Sequence, residues 1–476
     1  MKQFTLAILV AAALLGQKPK ITGPIPVTAD SYPFLARTLH PINFKEAGYV
    51  EEEFLVSGSA NVYDWSPEGS LNARTKDAPY TTRVLVRRPA SASRFSGNVV
   101  VEPYMVARRY DWPIMWSYVH KSLMEHGDAW VGVTIPANAN ALKKFNQARY
   151  AAISFANPTP GDACPGAGKN GPADFEDGLR FDVLTQVGAA LKSNNLMGSL
   201  NVAAIFMTAQ GGDLLTYMNA IHPSAKLANG KYVYDGYLSR NPGNLQRINQ
   251  CAPAPQANDP RGGFNRNFGV PVIAVVAQGE VPASLGFRRA DSDDPADRFR
   301  LYEVAGVSHI DKAAYSQMPV VADQIAAVGT ALGTPEWPLN ITCDPPIPLT
   351  DQPALTYVYD IVFEHLFRWA RKGIAPPKAH RIQIQDKTVT LDEFGNGMGG
   401  VRTPYVDVPT ASYSVTSPGP GTCAELGHSV AFDPSRLNSL YSSDQEYKSK
   451  IAQAAGRLEK AGWLTKSDSL KLKSAH

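Results

Sequence analysis

The chain has 476 residues, 44% of them hydrophobic and 19% charged, with Lys+Arg 46 against Asp+Glu 43 and a net charge of +3. That length admits one large α/β domain with additions or two domains of ordinary size. The near-balanced charge, without a basic block or an acidic tail, argues against a nucleic-acid partner and against a disordered activator.

Met1-Lys2-Gln3 followed by the apolar run Phe4 to Leu15 reads as a secretory signal peptide, here bounded at residues 1–17. The run is short for a membrane span, and no later stretch is long enough for one. The expected location is therefore secreted or periplasmic. Cys164, Cys251, Cys343 and Cys423 are widely spaced, with no C-x-x-C pair of the kind that holds a metal. In an exported chain they predict disulfides. Three pairings stay open, and Cys164 with Cys251 and Cys343 with Cys423 is the preferred one.

Residues Lys18 to Pro41 are proline-rich and irregular, a strap over the surface. Gly48 to Ser57 alternates apolar and acidic residues as a half-exposed strand does, and Tyr80 to Arg87 is a second strand stopped by Arg88-Pro89. Gly97 to Glu102 is a buried strand that runs into a loop carrying Tyr104, Met105, Tyr110, Trp112 and Trp116. A helical stretch, Met115 to His126, leads to another buried strand, Ala129 to Thr134. Asp177 to Asn194 has the pattern of an amphipathic helix. Further buried strands are expected at Val270 to Ala277 and Arg300 to Ala305, and a long helix at Ala354 to Arg371, before Gly373 and Pro376-Pro377. Buried strands separated by helices predict a mainly parallel sheet with helices on both faces. The core is expected over residues 18–377. Residues 378–476, with a closing helix at Ser443 to Ala461, form an extension packed on it.

The stretch Val202-Ala-Ala-Ile-Phe-Met-Thr-Ala-Gln-Gly-Gly-Asp-Leu-Leu-Thr-Tyr-Met-Asn219 organises the rest. A β-prone run ends at Met207, small and polar residues follow, and Leu214, Leu215, Tyr217 and Met218 have helical spacing. Strand, sharp turn, helix is the local shape of a nucleophile elbow. Thr208 is the candidate apex, although its β-branched side chain suits a strained turn poorly. Glu280 follows one later strand and His309 the next, in Val304-Ala-Gly-Val-Ser-His-Ile-Asp311. Nucleophile, acid, histidine is the chain order of a hydrolase triad, with the acid orienting the histidine and the histidine acting as base. Asp291, Asp293, Asp294 and Asp297 lie in the loop after Glu280 and compete for the acid's place. The backbone N–H groups of Ala209 and Tyr104 are the expected oxyanion donors. Tyr110, Trp112 and Trp116 are the expected lining of an apolar substrate pocket. There is no G-x-G-x-x-G after a strand, no P-loop and no HExxH, so no nucleotide, metal or other cofactor is expected.

These residues, together with Gly48-Tyr-Val-Glu-Glu-Glu-Phe54, Tyr80-Thr-Thr-Arg-Val-Leu-Val-Arg-Arg-Pro89, Phe299-Arg-Leu-Tyr-Glu-Val-Ala-Gly-Val-Ser-His309 and Gly399-Gly-Val-Arg-Thr-Pro-Tyr-Val-Asp-Val-Pro409, resemble the exported α/β-hydrolase-domain proteins of bacteria and fungi. The resemblance implies an α/β-hydrolase fold over nearly the whole mature chain. It also implies an elbow of the form Gly-x-Ser-Gln-Ser/Thr. Counting back from Thr216-Tyr217 sets Phe206 at that glycine, Thr208 at the serine, Ala209 at the glutamine and Gln210 at the second hydroxyl. His309 matches, and Glu280 stands near the acid. The implied function is hydrolysis of a small-molecule carboxylic ester by Thr208, His309 and Glu280. The alternative is a catalytically altered relative that binds an apolar or aromatic ester-like ligand. Oligomeric state is not legible.

Overall fold

The computed structural model describes residues 18–474 apart from 162–163, 165–173, 194–195, 266, 332–340, 348, 351 and 420. The expected signal peptide lies outside the described residues.

One nine-stranded sheet organises the molecule: β1 (Lys20–Thr22), β2 (Tyr49–Trp65), β3 (Leu71–Pro89), β4 (Asn98–Pro103), β5 (Ala129–Val133), β6 (Ala204–Gln210), β7 (Gly236–Arg240), β8 (Val272–Ala277) and β9 (Phe299–Val304), in the spatial order β1-β2-β3-β5-β4-β6-β7-β8-β9. The pairs from β5 to β9 are parallel, and β1, β2, β3 and β5 pair antiparallel. The expected mainly parallel sheet is thus a parallel half joined to a long antiparallel hairpin. Strands β5, β7, β8 and β9 are buried along their whole length, which is why the apolar β5 and β8 read as continuous runs and not as alternations. The hairpin strands are half exposed towards their tips, as their acidic and polar residues predict.

The crossover helices include α1 (Ile114–His126) and α2 (Leu179–Lys192); the short α3 (Gly212–Thr216) follows β6 and opens into a wider turn, Tyr217–Ile221. The long α4 (Ala354–Lys372) packs Phe367 on Phe206 of β6, ring centroids 4.7 Å apart, and ends at Gly373 in the left-handed conformation. Two strands of this sheet escaped the sequence reading. β1 falls inside the proline-rich strap, and β7 carries Gly236, Ser239 and Arg240 where a buried strand is expected to be apolar.

The strap is held by buried arginines. Arg83 donates to the Phe34 carbonyl at 2.6 Å, Arg87 to Leu35 at 3.1 Å and Arg149 to Pro26 at 2.8 Å. Arg83 and Arg149 are in turn paired with Glu53 at 2.6 and 2.5 Å, and Arg83 also with Asp111 at 3.1 Å, all fully buried. The strap backbone continues to Leu39 and His40, whose N–H groups donate to Met318 and Ser316.

The C-terminal part packs on this core. Its helices α5 (Asp444–Ala461) and α6 (Lys466–Ser474) lie beside α4, with Trp463 edge-on to Tyr302 of β9 at 5.1 Å and the Gly462 carbonyl bonded to His365 at 2.7 Å. Disulfides join Cys164 to Cys251 and Cys343 to Cys423, the preferred pairing. No helix among the described residues is long and apolar enough to cross a membrane.

Candidate active site

Parallel strands β6, β7, β8 and β9 end side by side, and their carboxyl ends carry the groups with chemistry. After β8 the chain makes a tight turn at Gln278–Glu280; after β9 it turns through Gly306, φ 74°, into the loop of His309. The two loops meet. His309 Nδ1 lies 2.8 Å from Glu280 Oε1, both side chains partly exposed. The His309 hydrogen bond holds the Glu280 carboxyl below its usual range; burial works against this, and the imidazole and Arg240 charges add to the lowering. A carboxylate at Nδ1 fixes the proton there and makes Nε2 the accepting nitrogen, as a general base needs.

Arg240, at the end of β7, donates from Nη2 to the His309 carbonyl and so anchors the histidine loop to the sheet. Its neighbour Asn241 has its Nδ2 3.4 Å from His309 Nδ1, while its Oδ1 accepts from the Ala277 N–H at 3.0 Å. Asp311, two residues past the histidine, caps the following turn by accepting from the Ala314 N–H; burial pushes its carboxyl up to about 6. Both arrangements fix the loop and not a substrate.

The elbow differs from the expectation. β6 does not end at Met207. Its ladder with β7 continues through Thr208↔Leu238 and Ala209↔Ser239 to Gln210↔Arg240. The residue at the turn is Gly211, with φ 79° and ψ −161°, and α3 starts directly after it. Thr208 is fully buried within the strand, and its hydroxyl donates to the Leu238 carbonyl at 3.0 Å. Thr208 therefore stands three positions before the apex, with its hydroxyl committed to the neighbouring strand. What faces the histidine from β6 is Gln210, whose carboxamide Nε2 is 3.4 Å from His309 Nε2. Among the described residues no hydroxyl hydrogen-bonds to the His309 ring; its neighbours are Glu280, Gln210 and Asn241.

A cleft opens beside Gln210, between the ends of β4 and β6 and the helices α2 and α3. Met105, Ile114, Ile135, Phe181, Leu184 and Leu214 make its wall apolar, and Glu102, Arg180 and Asp213 supply its charge. Arg180 is engaged with Asp177 and, at 3.0 Å, with Asp213. Glu102 accepts from the N–H groups of Met115 and Trp116 and from Trp130 Nε1; burial nevertheless pushes its carboxyl up to about 7. His309 and Glu280 do not themselves line the cleft. Gln210 does, and it is the residue that joins cleft to base.

Several expected residues lie elsewhere. The Tyr104 N–H donates to the Val133 carbonyl at 3.1 Å, so it is not free to bind an oxyanion, although Tyr104 does border the cleft. Ala209 also borders the cleft, but as a strand residue inside the β6–β7 ladder. Tyr110, Trp112 and Trp116 are core and not pocket. Tyr110 reaches Gln324 at 3.4 Å, Trp112 donates to the Ala314 carbonyl at 2.9 Å, and Trp116 packs on Trp130 at 5.2 Å. Each is at most 1% exposed. Gln210, Gly211, Asn241 and Arg240 were not singled out from the sequence. The Gly211-Gly212 pair was the available signal, since a turn needing positive φ selects glycine. No group of metal-ligating side chains occurs among the described residues.

The family model described as "Alpha/beta hydrolase domain" matches residues 21–474. No curated protein matches the chain. Solved structures similar to it include a mutant of esterase Est22 (13% identity, TM-score 0.33, covering 61% of this chain and 80% of that one) and a bacterial heroin esterase (10%, 0.29, 56% and 77%). They also include a fungal esterase from Rhizomucor miehei (9%, 0.28, 54% and 74%). In another structure of esterase Est22 the match spans 66% of that chain, just under two thirds of its length.

Proposed function

Because the chain belongs to the α/β hydrolase domain family, we propose that it hydrolyses a small-molecule carboxylic ester, with His309 as general base and Glu280 as its orienting acid. The observation that supports this most is the 2.8 Å contact between Glu280 Oε1 and His309 Nδ1 at the ends of adjacent strands. It leaves Nε2 directed at the end of β6, where Gln210 adjoins the cleft. The apolar wall of Met105, Ile114, Phe181 and Leu184 suits the acyl part of an ester. The apolar segment Phe4 to Leu15 and the two disulfides support an exported protein.

The test is turnover of short-chain p-nitrophenyl esters by the purified mature protein beside His309→Ala. A positioned base contributes roughly 10²–10⁴-fold, so the variant should lose at least about a hundredfold in kcat/KM. Equal rates in the two proteins would remove the hydrolase reading for these esters. One observation favours a second reading, a relative that binds an ester-like ligand without turning it over: the apex residue Gly211 has no side chain to attack with. Saturable binding of a non-hydrolysable ester analogue, with no turnover that His309→Ala abolishes, is its signature.

A further inference from the structure

We propose that the attacking nucleophile is water activated directly by His309, and that no acyl-enzyme forms. The proposal rests on the hydrolase reading and deepens it by naming what replaces the hydroxyl.

Three observations lead there. At the turn between β6 and α3, the position with φ 79° is Gly211, and a Cβ built on it meets nothing within 4 Å. The space where an attacking side chain would project is therefore open and not filled by protein. Next, the residue just before that turn adjoins a base whose tautomer is set. Glu280 at Nδ1 leaves Nε2 as the acceptor, and Gln210, the residue immediately before Gly211, is the side chain Nε2 faces. Finally, the hydroxyls close in sequence are spoken for or sequestered. Thr208 donates to Leu238, Ser308 donates to the Ile310 carbonyl at 2.7 Å, and Ser239 is fully buried in β7.

The Gln210 carboxamide, 3.4 Å from Nε2, marks where a water would sit. A water at the open side of Gly211 that takes the place of the carboxamide donates one proton to His309 Nε2, which orients the water's lone pair for attack. The reaction balances without any further reagent. The water oxygen bonds to the ester carbonyl carbon as its proton passes to Nε2. The tetrahedral species then breaks the C–O bond to the alcohol, and the proton on Nε2 passes to the departing alkoxide. Acid and alcohol leave, and the imidazole is neutral again.

Two measurements on the protein of natural sequence decide it. Hydroxylamine added to a set of acetate esters with different leaving groups competes with water. Attack without an intermediate gives a hydroxamate-to-acid ratio that changes with the leaving group, whereas a shared acyl-enzyme gives one ratio for all. Ethyl fluorophosphonate followed by intact mass spectrometry should leave the natural protein unlabelled. Gly211→Ser should acquire a single phosphonyl group at position 211. A constant partition ratio, or a His309-dependent phosphonyl adduct on the natural protein at Thr208 or elsewhere, overturns the proposal while leaving hydrolysis intact. Turnover that is absent, or that survives His309→Ala, overturns the hydrolase reading and the proposal with it. A folded Gly211→Ser that resists the label shows that position 211 does not face the base, which also overturns it. If that variant does not fold, the partition ratio in the natural protein decides alone.

Discussion

Replacing Thr208 by valine separates a structural hydroxyl from a catalytic one. The side chain is fully buried, and its hydroxyl donates to the Leu238 carbonyl at 3.0 Å, across the β6–β7 ladder. Losing a neutral hydrogen bond of this kind costs about 1 kcal/mol net. The methyl that replaces the hydroxyl regains up to about 0.8 kcal/mol of apolar burial, so the net destabilisation lies between about 0 and 1.5 kcal/mol. Unfolding entropy of about 2.1 cal/mol/K per residue, over 476 residues, amounts to about 1 kcal/mol/K. The expected fall in Tm is therefore no more than about 1–2 °C, measurable by calorimetry on matched samples. The esterase rate should stay within about twofold, because a change of 0.4 kcal/mol in the barrier is about a factor of two. If Thr208 were the attacking group, the variant would lose on the order of a thousandfold with the same small change in Tm. That result would refute both the assignment of the apex to Gly211 and the reasoning from the Thr208 hydrogen bond.

Other outcomes follow from the same geometry. Glu280→Gln should lower kcat/KM by about 10²-fold or more, since a neutral amide no longer holds the imidazole tautomer; an activity assay on the variant, shown to be folded by circular dichroism, checks it. The Glu280 carboxyl is depressed in the folded state, so its contribution to stability is present above its unfolded pKa and is lost as pH falls through the folded value. The Tm difference between the natural protein and Glu280→Gln should accordingly shrink on acidification. Gly212→Ala should destabilise far more than Gly211→Ala: its Cβ would lie 1.7 Å from the Asn244 carbonyl oxygen, whereas the other meets open space and bears only the cost of a positive-φ, extended backbone, about 1–3 kcal/mol. Urea unfolding of the pair measures the contrast. Arg83→Met should cost about 3–5 kcal/mol by leaving Glu53 and Asp111 short of a buried partner, read from the same curves. Removing the Cys343–Cys423 bridge, which spans 80 residues, should cost about 4 kcal/mol if chain entropy dominates.

Strands buried on both faces were legible because burial leaves an unbroken apolar run, as in Val272 to Ala277. β7 was not, because it buries Arg240, which hydrogen-bonds through Nη2 to the His309 carbonyl, and Gly236, which Leu366 approaches closely. The meeting of His309 with Glu280 could be anticipated because both follow strands that prove adjacent. The apex could not be fixed the same way. Composition changes at Thr208, but hydrogen bonding with β7 carries the strand on to Gln210, and strand ends are set by pairing and not by hydropathy. The aromatic loop illustrates the converse. Its bulk was visible, whereas the direction its rings take depends on what lies beneath, here Ala314, Tyr315 and Trp130.

The arginine-held strap has a consequence for how the chain is made. Its anchor points are separated by most of the sequence; Thr38, for example, meets Gln317, 279 residues later. At about 5–20 residues per second of synthesis, roughly 15–55 s pass between the appearance of the two partners. Throughout that interval the guanidiniums of Arg83 and Arg149 can already be in place while the strap's far end still lacks its partner. The segment nearest the start of the chain is thus among the last to be locked.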